Sequence, residues 1–248
     1  MFKNNPDELD QHFLIDKDVI NNFIKVCNLS KNDVVLEIGP GDGTLTKLIA
    51  PKVKKMYVIE KDIRLKPYLD KINNIDVTYG SCLDVPFPKV NKIITSLPYS
   101  IIEPFIYKVI HQDFKELYMI MGKNYCDNVI NNKITNLSLL TNIYFDVHKY
   151  FDIYPDSFNP KPRVVSSLIK LTFKNKLDEK DMIFRNIYNL NDKLVKNALM
   201  ESLIIVKGLT KRESKDYINK LNIDNEILNK KFCIISNEEL KNLYDKLM

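Results

Sequence analysis

Short apolar runs and helix-like apolar patterns alternate along the chain up to about residue 173. Runs of three to ten residues bounded by turn residues predict buried strands, whereas apolar residues recurring at every third or fourth position predict helices. Strands are predicted at 34–36, 56–59, 75–79, 92–95, 117–121, 147–153 and 164–173. Helices are predicted at 18–26, 45–49, 67–72, 101–110 and 137–145. This alternation is typical of an α/β domain built on a mostly parallel sheet.

From residue 174 onward the pattern becomes helical, and Gly208 is the last glycine of the chain. Helices are predicted there at 183–188, 194–205, 212–221 and 238–247. A length of 248 residues suits one medium domain and one small one. We therefore expect an α/β domain at 1–174 and a small all-helical C-terminal domain at 175–248.

The segment 34–46, VVLEIGPGDGTLT, joins a predicted strand to a helix start through three alternating glycines, which include Gly39 and Gly41. Glycine allows the sharp turn and the close approach of a ligand to the backbone. The next strand ends in Glu60, whose carboxylate can accept both hydroxyls of a ribose. A dinucleotide fingerprint reads GxGxxG, but Thr44 occupies the place of its third glycine. The form E-x-G-x-G-x-G is similar instead to the S-adenosylmethionine (SAM) loop of Rossmann-like methyltransferases. An ordinary glycine turn is the alternative.

Two further predicted strands end in segments that carry polar side chains. Because ligands of open α/β sheets bind beyond the carboxyl ends of the strands, both segments are expected at the cofactor's edge. Strand 75–79 runs into Gly80, Ser81 and Cys82, which are placed to meet the adenine of the cofactor. Strand 92–95 runs into 96–99, SLPY, which has the form [Asn/Asp/Ser]-x-Pro-[aromatic]. Its position makes Ser96 a candidate cofactor contact as well as a candidate catalytic residue.

The SLPY turn has the groups that methylation of an exocyclic amine requires. The lone pair of adenine N6 is delocalised into the ring, so two acceptors on its hydrogens favour the pyramidal, nucleophilic nitrogen. The Ser96 hydroxyl and the Leu97 carbonyl are the candidate acceptors, held by the fixed φ of Pro98. Tyr99 is a candidate to stack on the base, with Phe158 facing it from a proline-rich loop. The alternatives are a strand-ending proline turn and a rigid connector.

The charge and the remaining residue types restrict the function only weakly. The net charge of +5, from 37 Lys+Arg and 32 Asp+Glu, permits a nucleic-acid partner without requiring one. Lys161 and Arg163 are candidate phosphate contacts, or merely exposed charges. Four scattered cysteines, three histidines without metal-ligand spacing and a polar N-terminus predict reduced thiols, no metal and a cytoplasmic protein. No apolar run approaches a membrane span, and a monomer is expected.

The combined motifs resemble the ribosomal RNA adenine N6,N6-dimethyltransferases that act near the 3′ end of small-subunit rRNA. The macrolide-resistance methylases of large-subunit rRNA share their fold. The resemblance covers residues 11–173 and rests on QHFLID, VLEIGPGDGTLT, VIEKD, GSCLD, SLPYSI and the Phe-x-Pro-x-Pro-x-Val-x-Ser stretch at 158–166. It implies a Rossmann-like, SAM-dependent rRNA adenine N6-methyltransferase that dimethylates adjacent adenosines of a small-subunit precursor during ribosome biogenesis. The helical C-terminal domain is expected to recognise the rRNA.

The resemblance also implies a role for each matching residue. The cofactor-binding set is His12 and Leu14 against SAM, Gly39 and Gly41 in its loop, Glu60 on its ribose, and Ser81 and Cys82 at its adenine. The set for the target adenine is Ser96, Leu97, Pro98 and Tyr99, with Phe158 on the other face of the base.

Several positions depart from the family pattern. His12 and Ser96 replace asparagines, Ser81 replaces an aspartate, and the polar cluster expected after the fifth strand is Gly122, Lys123, Asn124 and Asn128. The basic run usual near the start of the C-terminal domain is thin around 191–196. Two alternatives therefore stay open: a resistance-type methylase of large-subunit rRNA, and a ribosome-assembly factor that keeps the fold with little or no catalysis.

Overall fold

The computed structural model describes residues 11–247, except for the side chain of Tyr99. The described chain divides into two compact units. The first comprises Val147–Thr172 and the described part of Met1–Asp127, and the second comprises Asn128–Asp146 and the described part of Phe173–Met248. The sequence-based boundary at 174/175 differs from this division, because it assigns 128–146 to the first domain.

The described residues contain nine strands. They are β1 (Phe13–Leu14), β2 (Val34–Ile38), β3 (Lys55–Glu60), β4 (Ile75–Tyr79), β5 (Lys92–Ser96), β6 (Glu116–Gly122), β7 (Phe145–Ile153), β8 (Phe158–Asn159) and β9 (Ser166–Phe173). Seven of them form one sheet in the order β4–β3–β2–β5–β6–β9–β7. The pairs that link β4, β3, β2, β5 and β6 are parallel, and β9 is antiparallel to β6.

The strands at the centre of this sheet are continuous apolar runs because both of their faces are covered. Val35 and Leu36 on β2 and Ile93 and Ile94 on β5 have no exposed surface. The chain order reverses between β2 and β5, which places a topological switch point at their carboxyl ends. Ligands of open α/β sheets bind at such a point, so we expect the ligand site at this edge. The first unit has the Rossmann-like fold.

Six helices of the described residues precede the C-terminal segment of the second unit. Their bounds are α1 (Lys17–Val26), α2 (Thr46–Ile49), α3 (Lys66–Leu69), α4 (Ile102–Val109), α5 (Lys123–Ile130) and α6 (Asn136–Tyr144). Asp16 caps α1, because its Oδ1 accepts from the backbone N–H groups of Asp18 at 3.0 Å and Val19 at 3.2 Å.

Helices also make up the C-terminal segment of the second unit. They are α7 (Glu179–Asn189), α8 (Val195–Lys207), α9 (Lys211–Lys220), α10 (Asn225–Leu228) and α11 (Asn237–Lys246). Gly208 ends α8 in the left-handed conformation, with φ of 67°. Within this unit the Tyr188 hydroxyl on α7 donates to the Asn136 carbonyl on α6 at 2.9 Å. That contact ties α6 to the C-terminal helices and accounts for its place in the second unit.

The structure departs from the predicted elements in several places, and the short helix α10 is one of them. The helices predicted at 45–49 and 67–72 are single turns, each next to a 3₁₀ turn, Ala50–Lys52 and Ile63–Leu65 respectively. The polar segment after β6 forms α5, which was not predicted. The segments around Phe13 and Phe158, where no strand was predicted, pair as a two-stranded antiparallel ribbon of β1 and β8. Among the helices of residues 11–247, none combines the length and the apolar composition that a membrane crossing requires.

Candidate active site

The glycine loop after β2 brings the backbone of β5 close to that of β2. Gly39 has φ of 70°, and a Cβ added there would lie 3.4 Å from the carbonyl oxygen of Ser96. Gly41 has φ of 59°, and a Cβ there would lie 2.9 Å from Cε1 of Phe13. Both positions therefore need glycine for conformation, and Gly41 also needs it for space.

Glu60 closes the loop from the end of β3. Its Oε1 accepts from the backbone N–H of Asp62 at 2.7 Å, and its Oε2 accepts from the N–H of Gly41 at 3.3 Å. A carboxylate has about four acceptor positions, so two remain for a ligand. Burial raises the pKa of Glu60, while these two N–H groups act in the opposite direction. The carboxylate is thus oriented and still able to accept hydroxyl groups.

Glu37 is a second buried carboxylate, at the end of β2, and it was not among the predicted site residues. Its Oε2 accepts from the Thr46 hydroxyl at 2.6 Å, which joins β2 to the first residue of α2. Burial raises the pKa of Glu37 to about 7, and the hydrogen bond from Thr46 opposes that rise. The signal that identifies it in the sequence is an acidic residue inside an otherwise apolar strand.

The loop after β4 carries Ser81 and Cys82. The Ser81 hydroxyl accepts from the N–H of Leu83 at 3.2 Å, which tightens the turn. Cys82 is 5% exposed, and burial raises the pKa of its thiol. Gly80 precedes them, and its N–H donates to the carbonyl of Glu60 at 2.8 Å. This bond fixes the Ser81–Cys82 turn directly beside the end of β3.

The SLPY turn leaves the end of β5 at the same edge of the sheet. The Thr95 hydroxyl donates to the Ile38 carbonyl at 3.1 Å, which locks the ends of β5 and β2 together. Leu97 is 8% exposed, and the carbonyl of Pro98 accepts from the N–H of Ile101 at 3.2 Å. The prediction for the side chain of Tyr99 falls outside the described part of the structure.

The β1–β8 ribbon forms another wall. Leu14 pairs with Phe158, and the two side chains are 8% and 3% exposed. The Nδ1 atom of His12 lies 2.8 Å from the carbonyl oxygen of Pro160, the distance of an Nδ1–H donor. Phe158 therefore belongs to the hydrophobic core as well as to the wall of the site.

One cavity of about 510 Å³ joins all of these segments. The predicted residues that line it are His12, Leu14, Gly39, Gly41, Glu60, Ser81, Cys82, Ser96, Leu97, Pro98 and Phe158. The volume lies within the usual range for a small-molecule site. The structure thus brings together residues that are up to 146 positions apart in the sequence, His12 to Phe158.

The lining also includes residues that sequence reasoning missed, among them Gln11, Glu37, Asp42 and Asp62. Gln11 donates from Nε2 to Asp62 at 3.3 Å, and Arg64 donates to both carboxylate oxygens of Asp62 at 2.7 and 2.8 Å. Within the described residues Lys61 is the single Lys or Arg of the lining. An acidic cavity with one lysine suits a ligand with cationic and hydroxyl groups better than a pyrophosphate.

Comparisons with known proteins agree with one another. The family described as "Ribosomal RNA adenine dimethylase" matches residues 1–233. A protein of Pyrococcus abyssi named "Probable ribosomal RNA small subunit methyltransferase A" is 30% identical over 249 residues, which cover 97% of this chain and 91% of that protein. A protein of the same name from Methanococcus vannielii is 34% identical over 211 residues, or 79% of each chain.

The fold has a solved counterpart of nearly the same extent. The crystal structure of a dimethyladenosine transferase from Plasmodium falciparum superposes with a TM-score of 0.65. The alignment covers 94% of this chain and 96% of that one at 24% identity. At this level of identity the likeness establishes the fold, including the helices at the C-terminal end.

Proposed function

Because the chain belongs to the ribosomal RNA adenine dimethylase family, we propose that it transfers methyl groups from SAM to N6 of adenosines in small-subunit rRNA. The observation that carries the proposal is the contact between the glycine loop and the SLPY turn. Gly39 lies against the carbonyl of Ser96, so a ligand on the loop and an amine on the turn share one cavity.

The residues present fit SAM. Glu60 keeps free acceptor positions for two ribose hydroxyls, and Gly39 and Gly41 leave the loop backbone open to the ligand. Ser81 and Cys82 would border the adenine, and His12 and Leu14 would close the cavity from the ribbon. SAM supplies, when bound, an electrophilic methyl group on a positively charged sulfur. The carboxylates of the lining favour that charge.

The SLPY turn would position the target amine. The Ser96 hydroxyl and the Leu97 carbonyl would each accept one N6 hydrogen, and Pro98 would keep both acceptors in place. Held in this way, N6 would present its lone pair for methylation, and SAM, held by Glu60 and the glycine loop, would supply the methyl group. The extra N6 proton leaves to water, so a general base is not needed. Phe158 and Tyr99 are proposed to hold the base.

Small-subunit rRNA is the proposed substrate because relatives that are 30% and 34% identical carry that name. Methylation of large-subunit rRNA receives no comparable support. The non-catalytic assembly factor differs from the enzyme in one requirement, because only the enzyme must bind SAM to function.

The test is transfer of labelled methyl from SAM to small subunits that lack the modification, followed by nucleoside mass spectrometry. We expect dimethyladenosine, and we expect Glu60→Ala to abolish transfer. The matched control is Asp113→Ala, which removes an exposed carboxylate that is not part of the cavity lining. Transfer to large-subunit rRNA instead would redirect the proposal. Ribosome binding without transfer to either substrate would refute it.

A further inference from the structure

Helix α9 in the second unit carries exposed cations that have no carboxylate partner. Lys211, Arg212 and Lys215 are all exposed, and among residues 11–247 none of them forms an ion pair. They occupy the first two turns of a ten-residue helix. Three positive charges thus lie within five positions at one end of α9, with Glu213 between them and Asp216 next in the chain.

Four other lysines of the second unit form ion pairs. Lys174 pairs with Asp181 at 2.7 Å, Lys193 with Glu201 at 2.7 Å, and Lys230 with Glu239 at 2.6 Å. Lys207, at the end of α8, pairs with Glu179. Lys176, Lys241 and Lys246 are exposed lysines of the same unit that also form no ion pair among the described residues, so α9 differs from them in having its cations within five positions.

Helical geometry places these side chains on one face. At about 100° per residue, positions 211, 215, 219 and 212 follow one another within an arc of about 100°. The arc is bordered on one side by the buried Ser214 and Ile218 and on the other by Asp216. We call Lys211, Arg212, Lys215 and Asn219 the α9 stripe.

Glu213, an acid beside the stripe, takes part in the cap of α9. The Oε2 atom of Glu213 accepts from the N–H and the hydroxyl of Thr210, at 2.8 and 2.7 Å, in a capping box. Glu213 thus caps the helix without forming an ion pair with the stripe, and the hydrogen bonds from Thr210 lower its pKa and keep it ionised. Cations in a first helical turn also oppose the helix dipole, so Lys211 and Arg212 do not serve the stability of α9.

We propose that the α9 stripe binds the phosphate backbone of the RNA substrate, an inference that rests on the proposed function. Arg212 offers a planar fork for a phosphate, Lys211 and Lys215 offer point charges, and Asn219 offers an amide for a 2′-hydroxyl. An acidic protein surface is the less suitable partner, because the stripe contains no apolar or aromatic residue to form an interface core.

The stripe also supplies what the start of this unit lacks. The sequence around 191–196 is poor in basic residues, and the two lysines present are engaged. Lys193 binds both carboxylate oxygens of Glu201, and Lys196 donates to the Asn229 side chain at 2.7 Å. Both lysines at the start of α8 are thus engaged, whereas the three clustered cations on α9 form no ion pair among the described residues.

The test compares two full-length triple variants, each with three exposed lysine or arginine charges removed. K211Q/R212Q/K215Q removes the stripe, and K176Q/K241Q/K246Q removes three exposed lysines elsewhere in the second unit. Binding to protein-free small-subunit rRNA is measured by fluorescence anisotropy between 50 and 200 mM salt. Neutralising three phosphate contacts should reduce the slope of log K against log salt by about 2 to 3. The control variant should keep most of the wild-type slope.

Equal slopes for the two triple variants would overturn the proposal, since net charge alone would then explain the binding. Displacement of the wild type by poly-glutamate as readily as by RNA would also overturn it, in favour of an acidic protein. Both variants should bind SAM and unfold thermally like the wild type. If removing the stripe reduces the slope but the wild type transfers no methyl group, the proposed function fails while the α9 stripe proposal stands. If the wild type transfers methyl groups but the stripe variant keeps the wild-type slope, the α9 stripe proposal fails while the proposed function stands.

Discussion

Lys108 on α4 donates a hydrogen bond from Nζ to the carbonyl oxygen of Val85 at 2.5 Å. The same ammonium group donates to the carbonyl of Leu83 at 3.1 Å and lies 4.6 Å from the ring centre of Phe87. Helix α4 begins after the SLPY turn, and Leu83 follows Cys82, so the Lys108 side chain joins α4 to the loop after β4. Lys108 is therefore a positioning residue for the loop that holds Ser81 and Cys82.

Replacing Lys108 by Met should weaken SAM binding. Methionine keeps the apolar stem but leaves two carbonyls without their charged donor, a loss of about 1.5–3 kcal/mol that is shared between stability and loop position. We expect the KM for SAM to rise roughly tenfold while kcat changes little. Lys89→Met, at an exposed lysine of the same connection, is the control. A fall in kcat at constant KM would contradict this role.

The raised pKa of Glu37 predicts a pH dependence of stability. The native chain holds a proton on Glu37 up to about pH 7, whereas the unfolded chain releases it near the ordinary glutamate pKa of 4.5. The native state thus binds more protons within this window, so the free energy of unfolding falls as pH rises through it, by about 3 kcal/mol. Urea unfolding of Glu37→Gln should lack this decline, whereas the exposed Glu238→Gln should follow the wild type. Parallel curves for the wild type and Glu37→Gln would refute the assignment.

The central strands and the ligand edge could be predicted because their causes are local. A strand buried on both faces must be a continuous apolar run, and 56–59 and 92–95 differ from β3 and β5 by one or two residues only. Parallel strands also end at one edge, so the residues at their carboxyl ends, such as Glu60 and Ser96, can be placed together without any knowledge of side-chain packing.

The remaining features depend on contacts that no local pattern reports. The ribbon of β1 and β8 pairs Leu14 with Phe158 through strands of two residues, too short for an alternating pattern. Helix α5 is rich in polar residues, and its order comes from the buried Cys126 and Val129 together with the Lys123–Asp127 ion pair. Because most residues of α5 are polar, its sequence pattern does not predict that Cys126 and Val129 are buried.

Ser96 was assigned to both the cofactor and the target adenine, and kinetics can separate the two roles. Removing one acceptor of the N6 hydrogens with Ser96→Ala should lower kcat about 10- to 100-fold, with the KM for SAM within about twofold. Ser96→Asn should retain transfer, because the amide oxygen is also an acceptor. Ser100→Ala, at an exposed serine of the same cavity, is the control and should change kcat less than twofold. A rise in KM alone would assign Ser96 to the cofactor.

Gly41 and Gly208 offer a matched pair for the glycine loop. Both have positive φ, 59° and 67°, but a Cβ at Gly41 meets the Phe13 ring at 2.9 Å, whereas one at Gly208 has no atom within 4 Å. Gly208→Ala should therefore cost about 1–2 kcal/mol for conformation alone. Gly41→Ala should cost about 1–3 kcal/mol more, because the ring must move.

The same displacement should reach the cofactor, since Phe13 belongs to the ribbon between His12 and Leu14. We expect Gly41→Ala to weaken SAM binding in calorimetry and Gly208→Ala to leave it unchanged. Adding Phe13→Leu to Gly41→Ala should recover part of the lost stability, because the shorter side chain relieves the contact. Equal unfolding free energies for the two single variants would show that the ribbon yields to a Cβ without cost. The close approach of Gly41 to Phe13 would then not explain the glycine.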